Sequence, residues 1–336
     1  MSYVTSGDAA RFSAFGQDVA RLKTELQRLS SELGSGRRED IGLAVAGDFT
    51  ALSDVRRGLR LNESFLLGLS NAAVAAGARQ SALDRLAAEL DNAGPELLAV
   101  VSNGRSSELS RRLADAPDRL EAAVATMNTR LGGQSLFAGS APDRPALADA
   151  ATILDALRPI ASAAPDAATA IAEIDTWFQD PGGGFETTGY LGGDPDGATV
   201  YLGEGQRTRH GISAAETGIR TALAGLAMAA LAAEGSLPPT EGAQADLARA
   251  AAERMMNGEA GLVDIRARLG VAEGRIEDAK VRVEATRTGL QLEEARLTDA
   301  DPFEVATDLE TVRRQLESMY VLTARLSDLS LTTYLR

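Results

Sequence analysis

Apolar residues recur at alternating spacings of three and four near both ends of the chain, which is the heptad pattern of helices that pack side by side. One series spans residues 19–33 and a longer one spans 52–90, while two more span 262–290 and 305–326. Each series predicts a helix with one apolar face. A helix as long as 52–90 cannot bury that face on itself, so the C-terminal series are the candidate partners of the N-terminal ones.

Two breaks separate short outer helices from long inner ones. Gly34 and Gly36 predict the end of the first helix, because glycine favours helix ends. Near the C-terminus Asp301 is a predicted N-cap, Pro302 suits the first helical position, and Glu304 is placed to reach back as a capping box. We therefore expect a short helix followed by a long one at the N-terminus, and the reverse order at the C-terminus.

The middle of the chain differs from both flanks. Six of the 11 prolines lie between residues 141 and 200, together with the single Trp and two glycine-rich stretches. Ten acidic residues against two arginines give residues 141–199 a net charge of −8. This composition predicts a solvent-exposed acidic insert with two short helices, near 146–157 and 167–178, followed by turns.

The predicted fold class is mainly α: a long antiparallel helical rod or coiled coil formed by the N- and C-terminal segments, with a small α+β inserted region and a short β-hairpin. Residues 199–212 are the predicted hairpin and residues 106–131 a further helix. The predicted domains are residues 1–45 with 298–336 as a terminal coiled-coil assembly domain, 46–140 with 200–297 as a helical rod domain, and 141–199 as the acidic insert.

Charge and composition exclude several classes of partner. The 336 residues include 34 Lys and Arg against 48 Asp and Glu, a formal net charge of −14, which disfavours binding to nucleic-acid phosphates or anionic lipid. The longest apolar run, Ala222–Ala233, is shorter than the roughly 18 residues of a membrane span. The first 30 residues show no cleavable secretory signal. We expect no nucleic-acid partner and no membrane insertion.

The chain lacks the parts of most catalytic and metal sites. Cysteine is absent and His210 is the only histidine, so thiolate chemistry, disulfides and a two-His metal site are excluded. No Gly-x-Ser-x-Gly elbow accompanies His210, and the glycine-rich turns lack the flanking strand and helix of a phosphate-binding loop. Asp194–Thr199 lacks ligands that a calcium loop needs. We expect no catalytic, cofactor-binding or metal site, and no enzyme activity.

Several segments resemble the bacterial flagellin superfamily. In the N-terminal part these are Leu29–Arg38 (LSSELGSGRR), Leu61–Leu86 and Leu97–Gly104. In the C-terminal part they are Arg268–Ile276, Asp299–Ala306 (DADPFEVA) and Leu329–Leu335 (LSLTTYL). Asn128–Ser140 (NTRLGGQSLFAGS) and the Tyr334–Leu335 ending are similar to the hook-associated branch of that superfamily, whose members join hook to filament. The ends depart from the flagellin pattern because they are poor in Asn and Gln.

The resemblance implies an exported structural subunit of the extracellular bacterial flagellum. Its implied partners are copies of itself, a neighbouring junction protein on the hook side, filament flagellin, and a flagellar export chaperone at the C-terminal helix. The expected assembly interface consists of apolar positions of the two terminal helices, which would pack on each other and on neighbouring subunits: Leu22, Leu26, Leu29, Leu33, Val305, Leu309, Val312, Leu316, Met319 and Leu326. The alternatives are a filament flagellin, a coiled-coil adaptor without a flagellar role, and a soluble helical enzyme.

Overall fold

A computed structural model of the chain describes residues 6–194, 199–203, 206–209, 212–237 and 242–334. The contacts divide the chain into two compact units, which are described separately below. The terminal unit consists of Met1–Asn62 and Ala285–Arg336, and the middle unit consists of Glu63–Glu284. The predicted division into three domains placed its boundaries elsewhere, at 45/46, 140/141, 199/200 and 297/298.

The described residues are mainly helical, which confirms the predicted fold class. The helices are α1 Ser6–Ser35, α2 Ile41–Ala44, α3 Thr50–Leu90, α4 Ala93–Ser102, α5 Ser106–Leu113, α6 Ala116–Met127, α7 Ala150–Ala163, α8 Ala167–Gln179, α9 Thr217–Glu234, α10 Ala243–Thr298 and α11 Pro302–Tyr334, with a π-helical turn at Phe185–Gly189. The strands are β1 Arg130–Leu131, β2 Gln134–Ser135, β3 Thr199–Gly203 and β4 Gln206–Arg209. Each strand belongs to a two-stranded antiparallel hairpin, β1 with β2 and β3 with β4.

Helix α9 lies at the centre of the middle unit. All residues from Ala222 to Ala232 are buried, so this helix is covered on every side by protein. A helix that is apolar all round requires such a position. The apolar run that is too short to span a membrane is therefore the middle of this core helix.

Small residues allow α9 and α10 to approach closely. A Cβ atom added to Gly258 would lie 2.6 Å from the backbone of Ala222, and one added to Gly261 would lie 2.6 Å from the Cα atom of Gly218. These contacts explain why glycine occurs inside two helices, where it costs about 1 kcal/mol relative to alanine. These close contacts fix how α10 packs on the core helix α9.

The predicted heptad partners meet inside the middle unit. Leu69 and Ala72 of α3 form one buried cluster with Ile276, Ala279 and Val283 of α10. Asp84 of α3 also forms an ion pair with Arg266 of α10 at 2.6 Å. The apolar series at 52–90 and 262–290 therefore pack together, and they do so in antiparallel directions.

Residues 141–194 share the core of the middle unit. Leu157 of α7 and Phe178 of α8 have no solvent exposure and belong to the same cluster as the buried residues of α9. Three of its acidic residues have structural partners: Asp149 and Asp166 cap α7 and α8, and Asp175 pairs with Arg254 of α10. This arrangement differs from the expected separate, solvent-exposed insert. The acidic residues suggested exposure, but the apolar residues at helical spacing among them are buried.

The two helices predicted in this segment are present as α7 and α8, and the hairpin predicted over 199–212 is present as β3 and β4. Residues 106–131 do not form the single helix that was predicted, because the chain breaks at Ala114 and Asp115 and resumes as α6 with proline in its first turn. The β1–β2 hairpin was not predicted. His210 and residues 195–198 lie outside the described residues.

Candidate assembly interface

Helices α1 and α11 pair in antiparallel directions within the terminal unit. Leu29 of α1 is 2% exposed and shares a buried cluster with Val305 of α11 and with Ala300, just before that helix. Farther along, Leu22 and Met319 line the same groove between the two helices. Early residues of α11 therefore meet late residues of α1, which brings the two predicted terminal stripes together.

Burial varies along the two stripes. Leu22, Leu29 and Val305 are buried. Five further predicted positions are half-buried: Leu26, Leu309, Val312, Leu316 and Met319. Leu33 is 42% exposed and is not part of the cluster around Leu29. Leu326 lies outside the residues whose side chains the structure describes. The pairing of α1 with α11 therefore leaves most of the predicted apolar positions on these two helices only partly covered.

The two predicted breaks pair with each other. The backbone N–H of Ala300 donates to the carbonyl of Gly36 at 3.0 Å, and the N–H of Arg38 donates to the carbonyl of Thr298 at 2.9 Å. Gly36 follows the end of α1 with a φ of +69°, in the left-handed region that favours glycine. This short bridge holds the end of α1 beside the start of α11.

A buried carboxylate reinforces this junction. Glu32 is only 4% exposed, and its Oε1 atom accepts hydrogen bonds from Arg28 Nη1 at 2.6 Å and from the backbone N–H of Glu39 at 3.0 Å. Arg28 also donates to Glu25, and these hydrogen bonds lower the pKa of the Glu25 carboxyl. Burial of Glu32 is tolerated because its charge is paired and hydrogen-bonded.

The start of α11 follows the sequence prediction with one difference. Asp301 accepts hydrogen bonds from the backbone N–H groups of Phe303 at 2.8 Å and Glu304 at 3.3 Å, so it is the N-cap. Glu304 does not complete the predicted capping box. Its carboxylate instead lies 3.5 Å from the Arg38 guanidinium and links α11 to the segment after α1.

The terminal unit also exposes apolar residues that lie off the predicted stripes. Phe303 is 84% exposed and Leu43 is 75% exposed. Three consecutive residues of α11, Tyr320, Val321 and Leu322, are each about half exposed (46%, 53% and 48%). The heptad pattern does not select them because it follows one face of each helix. For the residues of α11, the signal in the sequence was an apolar side chain in the C-terminal helix.

Other site chemistry is limited in the described part of the chain. No group of three or more histidine and acidic residues there is placed to hold a metal ion. None of the helices in that part is long and apolar enough to cross a membrane. Lys23 of α1 places its Nζ atom 5.8 Å from the centre of the Tyr320 ring of α11, a cation–π contact that further links the two helices.

Sequence comparison finds a family match in the C-terminal part of the chain. Residues 258–335 match the bacterial flagellin C-terminal helical region. This flagellin C-terminal region comprises the second part of α10 and all of α11, less than a quarter of the 336 residues. It includes five of the predicted interface positions whose side chains are described: Val305, Leu309, Val312, Leu316 and Met319. No curated protein sequence matches the chain.

Structural comparison finds a solved structure with a similar fold over most of the chain. The chain superposes on a putative flagellar hook-associated protein from Vibrio parahaemolyticus with a TM-score of 0.50 and 12% sequence identity. The match covers 73% of this chain and 94% of the Vibrio protein. The two proteins therefore share a fold, and the likeness in sequence to flagellins lies in residues 258–335.

Proposed function

We propose that the chain is a structural subunit of the bacterial flagellum, of the type that joins hook to filament (hook-associated protein 3). The observation that carries this proposal is the pairing of α1 with the flagellin C-terminal region. Leu29 and Val305 are buried in that pairing, whereas Leu26, Leu309, Val312, Leu316 and Met319 remain half-buried. Two helices with incompletely covered apolar seams are suited to packing on the same helices of neighbouring subunits.

Burial of the remaining apolar surface supplies the driving force for assembly. Completing the burial of one half-exposed leucine contributes on the order of 1 kcal/mol, about half of the value for full burial. Several such positions in each subunit add up along an assembly in which every subunit has neighbours. The exposed Phe303, Tyr320, Val321 and Leu322 enlarge the surface available to those neighbours.

The proposed partners follow from this role. They are copies of the chain, a neighbouring junction protein on the hook side and filament flagellin. A flagellar export chaperone would cover α11 before export, because this helix has exposed and half-buried apolar residues on several faces. The chain would be secreted through the flagellar export system, without a cofactor and without enzyme activity.

The choice of hook-associated protein over filament flagellin has two supports. Asn128–Ser140 is similar to the hook-associated branch, and the Vibrio protein that shares the fold carries a hook-associated description. Filament flagellin remains the nearest alternative because the C-terminal region is that of flagellins.

Immunogold labelling of intact flagella from the bacterium that encodes the chain tests the proposal. A compact band of label where hook meets filament is the expected result. Label along the whole filament would instead identify a flagellin. Absence of label from flagella whose filament is labelled by a flagellin antibody would overturn the flagellar role and return the adaptor and enzyme alternatives.

A further inference from the structure

Helix α10 has two apolar faces within the middle unit, and only one of them is covered. Leu262, Ile265, Leu269, Ala272, Ile276 and Ala279 face the core and are buried. A second series lies on the opposite face at heptad spacing, interrupted only by Glu277, and all of its members are exposed: Met256, Ala260, Val263, Ala267, Gly270, Gly274 and Val281. Val263 is 61% exposed and Val281 is 57% exposed. We call this second series the outer seam.

No packing contact found in the described part of the chain requires the two glycines of the outer seam, Gly270 and Gly274. Gly258 and Gly261, on the same helix, are required by close contact with α9. A Cβ atom added to Gly270 or Gly274 would meet nothing within 4 Å, and both residues have ordinary helical backbone. Each costs about 1 kcal/mol of helix stability relative to alanine. Glycines on an exposed helix face are explained if the backbone of another helix approaches there.

Charged residues beside the outer seam alternate in sign at intervals of seven residues. They are Glu259, Arg266, Glu273 and Lys280. Arg266 forms an ion pair with Asp84. The side chains of Glu259, Glu273 and Lys280 take part in none of the ion pairs or hydrogen bonds found within the part of the chain that the structure describes. Three charges of this row are therefore available to a partner.

We propose that a second copy of the chain packs on the outer seam in the antiparallel direction, about a two-fold axis between residues 268 and 269. In this register an edge residue lies beside the edge residue two positions beyond its direct opposite, which pairs Glu259 with Lys280 of the second copy and Arg266 with Glu273 of the second copy. The two-fold axis repeats both pairs, so all four charges of each copy meet the opposite sign. Antiparallel coiled helices bring these equivalent edge positions together.

The same register matches the sizes of the seam residues. Val263 meets Gly274 of the second copy, Ala267 meets Gly270, and Met256 meets Val281. Each glycine thus receives a larger side chain or lies where the two backbones come closest. Glu277 meets Ala260, whose methyl group leaves room for the carboxylate to reach solvent. The seam from Met256 to Val281 is about 38 Å long at 1.5 Å per residue.

Parallel pairing of two outer seams is disfavoured by charge. It would bring Glu259 beside Asp264 of the second copy and Glu273 beside Asp278, because parallel helices pair each edge residue with the opposite edge five positions later. Both contacts are repulsive. The charge pattern therefore selects the antiparallel pair, and this inference does not depend on the proposed function. A two-fold pair is closed and cannot be extended by the same face.

Sedimentation of the full-length chain across a range of concentrations tests the proposal through charge reversal. We expect a reversible dimer that Glu259→Lys or Lys280→Glu each weakens about tenfold, because either change makes two symmetry-related pairs repulsive. An equimolar mixture of the two variants should recover the dimer, since every pair in the mixed dimer is again attractive. The double variant should also recover it. Association that is indifferent to all of these changes, or a chain that stays monomeric, would overturn the proposal.

Cysteine cross-linking tests the register, and the absence of native cysteine keeps it unambiguous. Under mild oxidation, a mixture of Val263→Cys and Gly274→Cys should give a cross-linked dimer, whereas neither variant should do so alone. A dimer formed by Val263→Cys alone would indicate parallel pairing and contradict the proposal. Association through the terminal helices would leave all three samples without a cross-link and would likewise count against it.

Discussion

Arg79 Nε donates a hydrogen bond to the carbonyl oxygen of Leu136 at 2.8 Å, and this contact joins α3 to the loop that follows β2. Arg79 is only 8% exposed, and burial lowers the pKa of its guanidinium. Its Nη1 atom has no hydrogen-bond partner among the described residues. The Arg79 guanidinium is therefore a buried charge that contacts the Asn128–Ser140 segment through the backbone carbonyl of Leu136.

Replacing this arginine should destabilise the middle unit. Arg79→Ala removes the donor to a buried carbonyl and leaves a cavity, so we expect a loss of about 3 kcal/mol in the free energy of unfolding. Chemical denaturation followed by circular dichroism measures it. Arg85→Ala, at an exposed position of the same helix, is the control and should change stability by less than about 0.5 kcal/mol. Equal effects of the two variants would show that the buried contact is unimportant.

Asn128 connects the same segment to residues before α7. Its Nδ2 donates to the carbonyl of Leu147 at 3.0 Å, and its Oδ1 accepts from the Leu147 N–H at 2.9 Å. Asn128→Ala leaves both backbone groups without a partner, and we expect a loss of about 2 to 4 kcal/mol. Asn128→Asp keeps the acceptor alone and should lose roughly half as much. Denaturation of the two variants side by side checks this order, and its reversal would contradict the two-bond account.

Local signals predicted the helices but not the way in which they share a core. The heptads at 52–90 and 262–290, and the Asp301-Pro302 restart, are visible because caps and apolar periodicity act within a few turns of chain. Phe178 and Leu157 are buried only because α9 packs against them, and that is a long-range fact. Counting acidic residues over 141–199 consequently suggested exposure for a segment whose apolar faces are covered.

The hairpin of β1 and β2 and two exposed aromatic residues of α11 were not predicted from the sequence. Gly132 and Gly133 have φ values of +57° and +82°, which suits the two-residue turn between β1 and β2. The Gly-Gly pair was an available hairpin signal. Phe303 and Tyr320 lie off the heptad seam, so a method that follows one helix face passes over them. Leu33 occupies a heptad position, but the described part of the chain leaves its side chain 42% exposed. The heptad pattern alone therefore did not predict its environment.

Gly36 and Gly34 form a matched pair for testing the α1 terminus. Neither position has an atom within 4 Å of an added Cβ, but only Gly36 has a positive φ, +69°. Gly36→Ala should therefore lower the stability of the terminal unit by about 1 kcal/mol, through backbone strain alone. Gly34→Ala, inside the helix, should raise it by about 0.5 to 1 kcal/mol. Thermal unfolding compares them, and a destabilising Gly34→Ala would refute the distinction.

The pair of Glu234 and Arg158 predicts a dependence of stability on pH. Arg158 Nε and Nη2 each donate to a Glu234 carboxylate oxygen at 2.8 Å, and these hydrogen bonds lower the pKa of Glu234. A carboxyl whose pKa is lower in the folded than in the unfolded chain adds stability above its ordinary pKa of about 4.3, and that contribution is lost as the pH falls through the folded value.

Glu234→Gln should therefore reduce the free energy of unfolding by about 1 kcal/mol at pH 7. The difference from the unmodified chain should shrink as the pH falls below the ordinary carboxyl pKa. Denaturation at several pH values measures this convergence. Glu121→Gln, at an exposed position of α6, serves as the control for general charge effects. A Glu234→Gln deficit that stays constant down to pH 2 would argue against the ion pair as its source.

Leu316 offers the sharpest mutational test of the proposed assembly role. It lies half-buried on α11 among the apolar positions of the flagellin C-terminal region. Leu316→Asp places a charge on a seam that neighbouring subunits would cover, and the cost of desolvating that charge opposes assembly. The buried core of the middle unit does not include this residue. We therefore expect most of the helical circular dichroism to persist while incorporation into flagella is lost.

Leu316→Met is the matched control, because it keeps an apolar side chain of similar volume and should be incorporated normally. Quantifying both variants in purified flagella, in a strain that lacks the native copy, separates assembly from expression. Swimming motility gives a second readout. Normal incorporation and motility with Leu316→Asp would remove the α11 seam from the interface. Failure of both variants would instead indicate that the position is needed for folding of the terminal unit.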